Sequence, residues 1–170
     1  MKKITPSFLT TFVAFFFLLF SNFLSAQNVD IDISVNWSQW ARENKIELYA
    51  PGGNTPIITI THPDGYLAGP GSTGASGDTH TATEPSPALN LPADDNVPAN
   101  SGYRVIIYDG YGDGWNGGGT ANVNINGSSI LLLNTASFSS TPGSNAEISE
   151  EIYFAINAPD DASFSYSQSS

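Results

Sequence analysis

The feature that most restricts the fold of this chain is a strand-like segment that runs directly into a glycine-rich acidic loop. Residues 103–108 have the sequence Tyr-Arg-Val-Ile-Ile-Tyr, a β-branched and aromatic run typical of a strand. The next eleven residues, 109–119, contain six glycines and two carboxylates, Asp109 and Asp113. Because glycine adopts positive φ without steric cost, this loop can turn its backbone carbonyls inward. The segment therefore predicts a strand that ends in a tight, oxygen-rich loop.

Further strand signals lie on both sides of this loop. Val29, Ile31, Ile33 and Val35 alternate with polar residues, which is the period of a half-buried strand. Residues 45–50 and 56–61 flank a Gly-Gly-Asn turn, and Asn126-Gly127 separates residues 121–125 from 130–133, so each pair predicts a hairpin. The unbroken apolar run at 130–133 indicates burial on both faces, and 148–156 predicts a final strand. About seven strands without an amphipathic helix predict an all-β chain, a single antiparallel β-sandwich of jelly-roll or Greek-key type.

The ends of the chain differ in composition from this β region. Lys2 and Lys3 precede an apolar run at 8–20 and a small residue, Ala26, which is the pattern of a cleaved signal peptide at 1–26. An uncleaved N-terminal anchor is the alternative. Residues 27–157 then form the sandwich domain and 158–170 a loose polar tail. Within the domain, 67–101 is rich in Gly, Ser, Thr, Ala and Pro, which predicts a long flexible loop.

Charge and cysteine content restrict the partners and the means of stabilisation. Without the signal segment, three basic residues face sixteen acidic ones, a net charge of −13, which disfavours nucleic acid and anionic membranes as partners. The acidity serves solubility outside the cell, or some carboxylates bind cations. The chain has no cysteine, so disulfides cannot stabilise an exported domain of this size, and a bound metal is one of the few substitutes.

The glycine-rich loop is the candidate metal site. Aligned with an EF-hand-type loop, Asp109 takes position 1, Asp113 position 5 and Gly114 the sharp-turn position 6. Hard oxygen donors at this spacing favour Ca²⁺. The alternative is a glycine-rich turn whose aspartates accept hydrogen bonds from their own backbone. The candidate metal residues are Asp109, Tyr111 at position 3, Asp113, Trp115 through its carbonyl, and Asn116, with Asp30, Asp32 or Asp64 as possible further ligands.

The aromatic residues and histidines leave several alternatives open. Trp37 and Trp40 could stack on sugars if exposed, but aromatic residues near strand ends favour a core position. Tyr111 and Trp115 are candidate ligand-binding residues if the loop presents them, whereas Trp115 could equally fold back onto the core. His62 lies in a Pro-Asp-Gly turn without a second histidine at ligand spacing, so we interpret it as a turn residue.

Residues 103–117 resemble a β module that recurs in secreted and surface proteins of bacteria, where a strand enters a D-x-x-G-D-G-W-N-G loop and a hairpin follows. Asp109 and the run from Tyr111 to Gly117 match this pattern, while Gly110 replaces its usual serine. The close match covers about residues 102–156. The resemblance implies an extracellular accessory domain of the kind found in adhesins, proteases and type IX-secreted proteins. These modules are largely uncharacterised.

Composition, motifs and resemblance together predict a secreted calcium-binding β-sandwich module for surface adhesion or ligand binding, the ligand being a cell-surface or matrix glycan or protein. The alternative is a structural extracellular or matrix subunit whose calcium only stabilises the fold. The chain lacks a G-x-S-x-G elbow, a cysteine nucleophile and an H-E-x-x-H pair, and we expect no enzyme. A hydrolase with two carboxylates is the least favoured alternative. We expect no membrane span after cleavage.

Overall fold

The computed structural model describes residues 28–69, 74–93, 101–139, 146–156 and 166–168, which fold into two antiparallel β-sheets. The strands are β1 (Asn28–Trp37), β2 (Asn44–Tyr49), β3 (Pro56–Thr61), β4 (His80–Pro92), β5 (Tyr103–Asp109), β6 (Thr120–Ile125), β7 (Ser128–Asn134), β8 (Ile148–Phe154) and β9 (Tyr166–Gln168). One sheet has the order β4-β1-β6-β7 and the other β3-β2-β5-β8-β9. The predicted antiparallel β-sandwich is confirmed.

The core lies between the sheets and follows the period of two in the sequence. Along β1 the residues Val29, Ile31, Ile33 and Val35 are buried, while their neighbours face outward. The same alternation places Val105 and Ile107 of β5, among others, in one cluster with them. Each such side chain contributes about 1.5–3 kcal/mol by leaving water, so the alternation fixes which face of each sheet turns inward.

Both predicted hairpins are confirmed. β2 and β3 pair from Lys45 opposite Thr61, and β6 and β7 pair on either side of Asn126-Gly127. Asn126 has φ 49° and Gly127 φ 75°, the two left-handed residues of a type I′ turn. The backbone therefore adopts the turn that the Asn126-Gly127 sequence predicts.

The prediction of a flexible loop over 67–101 is wrong, because β4 occupies its second half. β4 pairs with β1 at one edge of its sheet, from Trp37 opposite His80 to Asn28 opposite Pro92. Most of its side chains are partly or fully exposed, so no apolar period marks it in the sequence. Two of its three prolines, Pro85 and Pro87, lie in the irregularity between paired residues Glu84 and Leu89, where no ladder N–H is needed, and the third, Pro92, ends the strand.

Three further predictions concern β7, the polar tail and the N-terminal segment. β7 is an edge strand that alternates, with Leu131 and Leu133 buried and Leu132 56% exposed, so burial on both faces is wrong. Three residues of the predicted loose tail form β9, which pairs with the end of β8. The predicted signal peptide at 1–26 lies outside the described residues. In the part of the chain that the structure covers, no helix has the length and apolar character needed to cross a membrane.

Four connections between the sheets begin and end at the same end of the sandwich. They join β1 to β2, β3 to β4, β5 to β6 and β7 to β8. At this end Asn44, the first residue of β2, lies opposite Asp109, the last residue of β5. In the other sheet, Thr120 lies opposite Asn36 of β1 and Asn134 of β7. The glycine-rich loop, which follows Asp109, therefore meets the segment after β1.

Candidate functional site

Asp109 organises the glycine-rich loop from its position at the end of β5. One oxygen of its buried carboxylate accepts the backbone N–H of Tyr111 at 3.0 Å, and the other accepts the N–H of Gly114 in a short hydrogen bond. Gly112 and Gly114 have φ 87° and 88°, a left-handed conformation that turns the chain back on this carboxylate. An ionised carboxylate has about four lone-pair sites, so these bonds leave acceptor capacity for a cation.

Three carboxylates converge where this loop meets the start of β2. Glu43, Asp109 and Asp113 each offer an oxygen, and these oxygens all lie within 4.8 Å of one another. Glu43 is only 4% exposed and Asp109 is fully buried, while Asp113 is partly exposed. The cluster thus reaches from the core to the surface, so that a cation could enter past Asp113.

The electrostatics of the cluster favour neutralisation of the negative charge on its carboxylates. Burial raises the pKa of Asp109, the N–H groups of Gly112, Gly114 and Tyr111 oppose the rise, and Asp113 adds to it. Burial also raises the pKa of Glu43, which accepts the N–H of Gly74 at 2.6 Å and is repelled by the neighbouring aspartates. Like charges in a desolvated site are costly, and a divalent cation removes that cost.

A buried amide next to the cluster fits a cation site. Asn44 lies directly opposite Asp109, which puts both side chains on one face of the sheet with Cβ atoms about 4.5–5.5 Å apart. Asn44 is 2% exposed, and its Nδ2 has no hydrogen-bond partner within the described structure. Half a turn about χ2 exchanges Nδ2 for the amide oxygen. With its oxygen turned towards the three carboxylates, this amide would complete a hard oxygen donor set of the kind that Ca²⁺ takes.

The structure brings part of the predicted metal set together. Asp109 and Asp113 lie in the cluster. Asn116 donates its Nδ2 to Asp113 at 2.8 Å, so it orients a carboxylate. Tyr111 is half-buried beside the cluster. The carbonyl of Trp115 accepts the Thr135 hydroxyl at 2.7 Å and is engaged on that side of the loop.

Trp115 belongs to the core, so the prediction that it presents a ligand-binding face is wrong. It is 1% exposed and packs edge-on against Trp37 and Phe138, with ring centroids 5.7 and 5.9 Å away. Its indole N–H donates to the carbonyl of Tyr108 at 2.9 Å. Gly119 leaves room for this packing, because a Cβ there would lie 3.1 Å from the Cβ of Trp115 and 3.4 Å from Cδ1 of Trp37.

The three aspartates proposed as further ligands do not join the cluster. Asp30 and Asp32 lie on the outer face of β1, where they accept hydrogen bonds from Asn90 and Asn124. Asp32 precedes the end of β1 by five residues, about 17 Å of strand. The Asp64 side chain is 75% exposed in the turn after β3.

Glu43 takes the place of these aspartates and was missed. The signal available in the sequence is its position: it immediately precedes Asn44, the residue that pairs with Asp109. The backbone confirms the adjacency, because the N–H of Gly110 donates to the Glu43 carbonyl at 2.7 Å. Only the register between β2 and β5, which are not consecutive strands, would have identified it.

A cleft of about 440 Å³ opens beside the cluster. Trp40 lines it and is only half-buried, so the prediction that Trp40 is a core residue is wrong, whereas Trp37 is in the core as predicted. Trp40 has φ 44° and ψ 38°, a left-handed conformation that costs a residue with a Cβ about 1–2 kcal/mol. The other side chains that line the cleft are Gln39, Glu43, Tyr111, Asp113 and Asn116.

The two histidines are neighbours in space, although their sequence separation suggested isolation. The rings of His62 and His80 are 5.8 Å apart and roughly perpendicular. Burial lowers the pKa of His80, and the nearby His62 lowers it further. His62 accepts the backbone N–H of Asp64 on its Nδ1 at 3.1 Å, as expected for a turn residue.

No protein-family profile, curated protein or solved structure matches this chain.

Proposed function

We propose that this chain is a secreted calcium-binding β-sandwich module that acts in surface adhesion or ligand binding. The observation that supports this most directly is the convergence of Glu43, Asp109 and Asp113 within 4.8 Å, two of them buried. The orphaned amide of Asn44 beside Asp109 extends the same oxygen donor set. The chain has no cysteine, so no disulfide can stabilise the fold in place of a metal.

In this proposal Ca²⁺ joins three separate parts of the chain. Asp109 ends β5, Asp113 lies in the loop after it, and Glu43 ends the connection from β1 to β2. A cation bound to all three would fix that connection against the glycine-rich loop. Extracellular calcium modules bind with a Kd of about 10⁻⁴–10⁻³ M, a range set by the number of charged ligands and by the rigidity of the site.

A structural role for the cation is the second candidate, and the position of Trp115 favours it. Because this tryptophan is buried and the loop is held by Asp109, ordering the loop also completes the core. Both candidates predict calcium-dependent stability, and they differ in whether a surface ligand exists.

Thermal unfolding of the exported protein in Ca²⁺ and in EDTA tests the proposal. At ten times the Kd, we expect about 1.4 kcal/mol of added stability. Asp113→Asn, which keeps the shape and removes the charge, should abolish the difference. Asp64→Asn is the matched control, because Asp64 lies outside the cluster, and it should respond like the unmodified protein. Identical melting in Ca²⁺ and EDTA would contradict the proposal.

A further inference from the structure

We propose that the cleft beside the acidic cluster binds a neutral saccharide, with Trp40 stacked on the apolar face of a pyranose ring. This inference rests on the proposed calcium site and adds the class of ligand that the site receives. It also assigns the stacking on the sugar to Trp40, which precedes β2, and no longer to Trp115, which is buried.

The position of Trp40 is the first argument. The chain has three tryptophans, and Trp37 and Trp115 are at most 1% exposed. Trp40 instead lines the cleft of about 440 Å³, a volume in the range of small-molecule sites. Trp40 is partly exposed at the wall of a polar cleft, where an indole ring can offer a flat apolar face to a ligand.

The remaining lining matches hydroxyl groups. Gln39 and Asn116 carry amides, each of which has a donor and an acceptor, and Tyr111 carries a hydroxyl. Sugar hydroxyls also donate and accept, so one amide can pair with two neighbouring hydroxyls. An apolar ligand would leave these groups unpaired at a cost, whereas a saccharide has one apolar face for the indole and polar edges for the amides.

The charge of the cleft distinguishes among polar ligands. Glu43 and Asp113 line it, so an anionic ligand is repelled. A cationic ligand would compete with the metal for these same carboxylates. Calcium takes about six to eight oxygen ligands, more than the four side chains gathered here, and the hydroxyl oxygens of a neutral saccharide suit the remaining positions.

The walls of the cleft are held in place before any ligand arrives. The Ser38 hydroxyl donates to the carbonyl of Gly117 at 2.5 Å and joins the segment that carries Trp40 to the glycine-rich loop. Trp40 itself keeps a left-handed backbone that few non-glycine residues adopt. Backbone held in such a conformation is characteristic of functional sites, and here it sets the direction of the Cα–Cβ bond that carries the indole ring.

The test is a titration of the ¹⁵N-labelled exported protein with methyl pyranosides, such as the α-mannoside and the β-galactoside, followed through the indole N–H resonances. We expect one of the three indole signals, assigned by its absence in Trp40→Asn, to shift saturably in Ca²⁺ and not in EDTA. Tetrahydropyran, which has the ring without the hydroxyls, should produce no shift. A calcium-dependent melting curve without any pyranoside shift would contradict this inference and leave the calcium site intact, whereas calcium-independent melting would contradict the calcium site first.

Two variants separate stacking from folding. Trp40→Asn removes the ring but suits the left-handed backbone, so its calcium-dependent melting should persist while pyranoside affinity falls on the order of tenfold or more. Trp40→Tyr keeps a ring and should retain part of the affinity. Unchanged affinity in Trp40→Asn would overturn the proposal. So would tetramethylammonium binding that is stronger in EDTA than in Ca²⁺ without pyranoside binding, because the cleft would then be a cation receptor.

Discussion

Gly110 lies directly against the carbonyl of Leu67, so closely that a Cβ on Gly110 would come within 1.8 Å of that oxygen. The contact belongs to a set of backbone hydrogen bonds at the loop, in which Gly69 donates to the Gly110 carbonyl at 3.0 Å. The segment after β3 therefore packs closely against the start of the glycine-rich loop. This contact explains why position 110 is glycine, because any side chain there would collide with the Leu67 carbonyl.

Gly110→Ser should therefore destabilise the protein by roughly 1–3 kcal/mol, because backbone atoms have to move to admit the new Cβ. Urea unfolding measures the effect. Gly77→Ala is the matched control, since Gly77 is an exposed loop glycine with no atom within 4 Å of the added Cβ, and its unfolding midpoint should hardly change. Equal urea midpoints for both variants would show that the Leu67 segment can move to admit the new Cβ without a loss of stability.

Asn44→Leu should have opposite effects on the two forms of the protein. Without metal, the replacement removes a buried unpaired amide and should stabilise the fold by about 1 kcal/mol. With metal, it removes an oxygen donor and should weaken calcium binding about tenfold. Calorimetric titration and unfolding in EDTA measure the two quantities separately.

Asn124→Leu is the control for the effects of Asn44→Leu on stability and on calcium affinity. Asn124 donates to Asp32 and Ser34 far from the cluster, so this variant should lose stability and keep its calcium affinity. If Asn44→Leu behaves in the same way as Asn124→Leu, then Asn44 is not a ligand.

Trp115→Phe should destabilise the protein by roughly 2 kcal/mol in Ca²⁺ and in EDTA alike, because the ring loses core contacts and its hydrogen bond to Tyr108. Trp40→Phe, at the half-buried tryptophan, should change stability far less. Chemical denaturation of both variants checks this. A large loss in Trp40→Phe, with none in Trp115→Phe, would reverse the roles assigned to the two rings.

The outer face of β2 should give the stability a dependence on acid pH. Burial raises the pKa of Glu47, but hydrogen bonds from Tyr49 and Tyr108 and the nearby Lys45 outweigh it, so the net pKa lies below the usual 4.5. A carboxyl group whose pKa is lower in the folded state stabilises the fold above its ordinary pKa, and this contribution is lost as the pH falls through the lowered value.

Tyr108→Phe removes one of these hydrogen bonds, so its stability should be lower near neutral pH and should decline less steeply below about pH 4.5. Urea midpoints along an acid series measure the slope. Tyr103→Phe removes a hydroxyl that donates to the backbone carbonyl of Pro92 at 2.9 Å, a group that does not titrate, and should leave the slope unchanged. Parallel curves for all three proteins would exclude Glu47 as the source.

The sequence predicted the elements whose signals are local. The alternation of β1, the Asn126-Gly127 turn and the strand before Asp109 each depend on a few neighbouring residues, and all three are present. β4 was not predicted, because its side chains form no apolar face and prolines are unusual in a paired strand. Its partner, β1, is more than forty residues away in the chain.

The same distinction explains the site. Asp109 and Asp113 are four residues apart and could be identified from spacing alone. Glu43 and Trp40 reach the site only through the pairing of β2 with β5 and through the connections gathered at one end of the sandwich. The direction of Trp115 could not be predicted, because a glycine-rich loop permits both an inward and an outward ring.

The turns of the two hairpins, at Gly52-Gly53 and at Asn126-Gly127, lie at the end of the sandwich opposite the cleft. A fluorophore or a spacer attached at the exposed Asn126-Gly127 turn would therefore leave the cleft open at the opposite end. Copies tethered through that turn would present several clefts in parallel. Their avidity would then depend on spacer length, while the affinity of each cleft stayed the same.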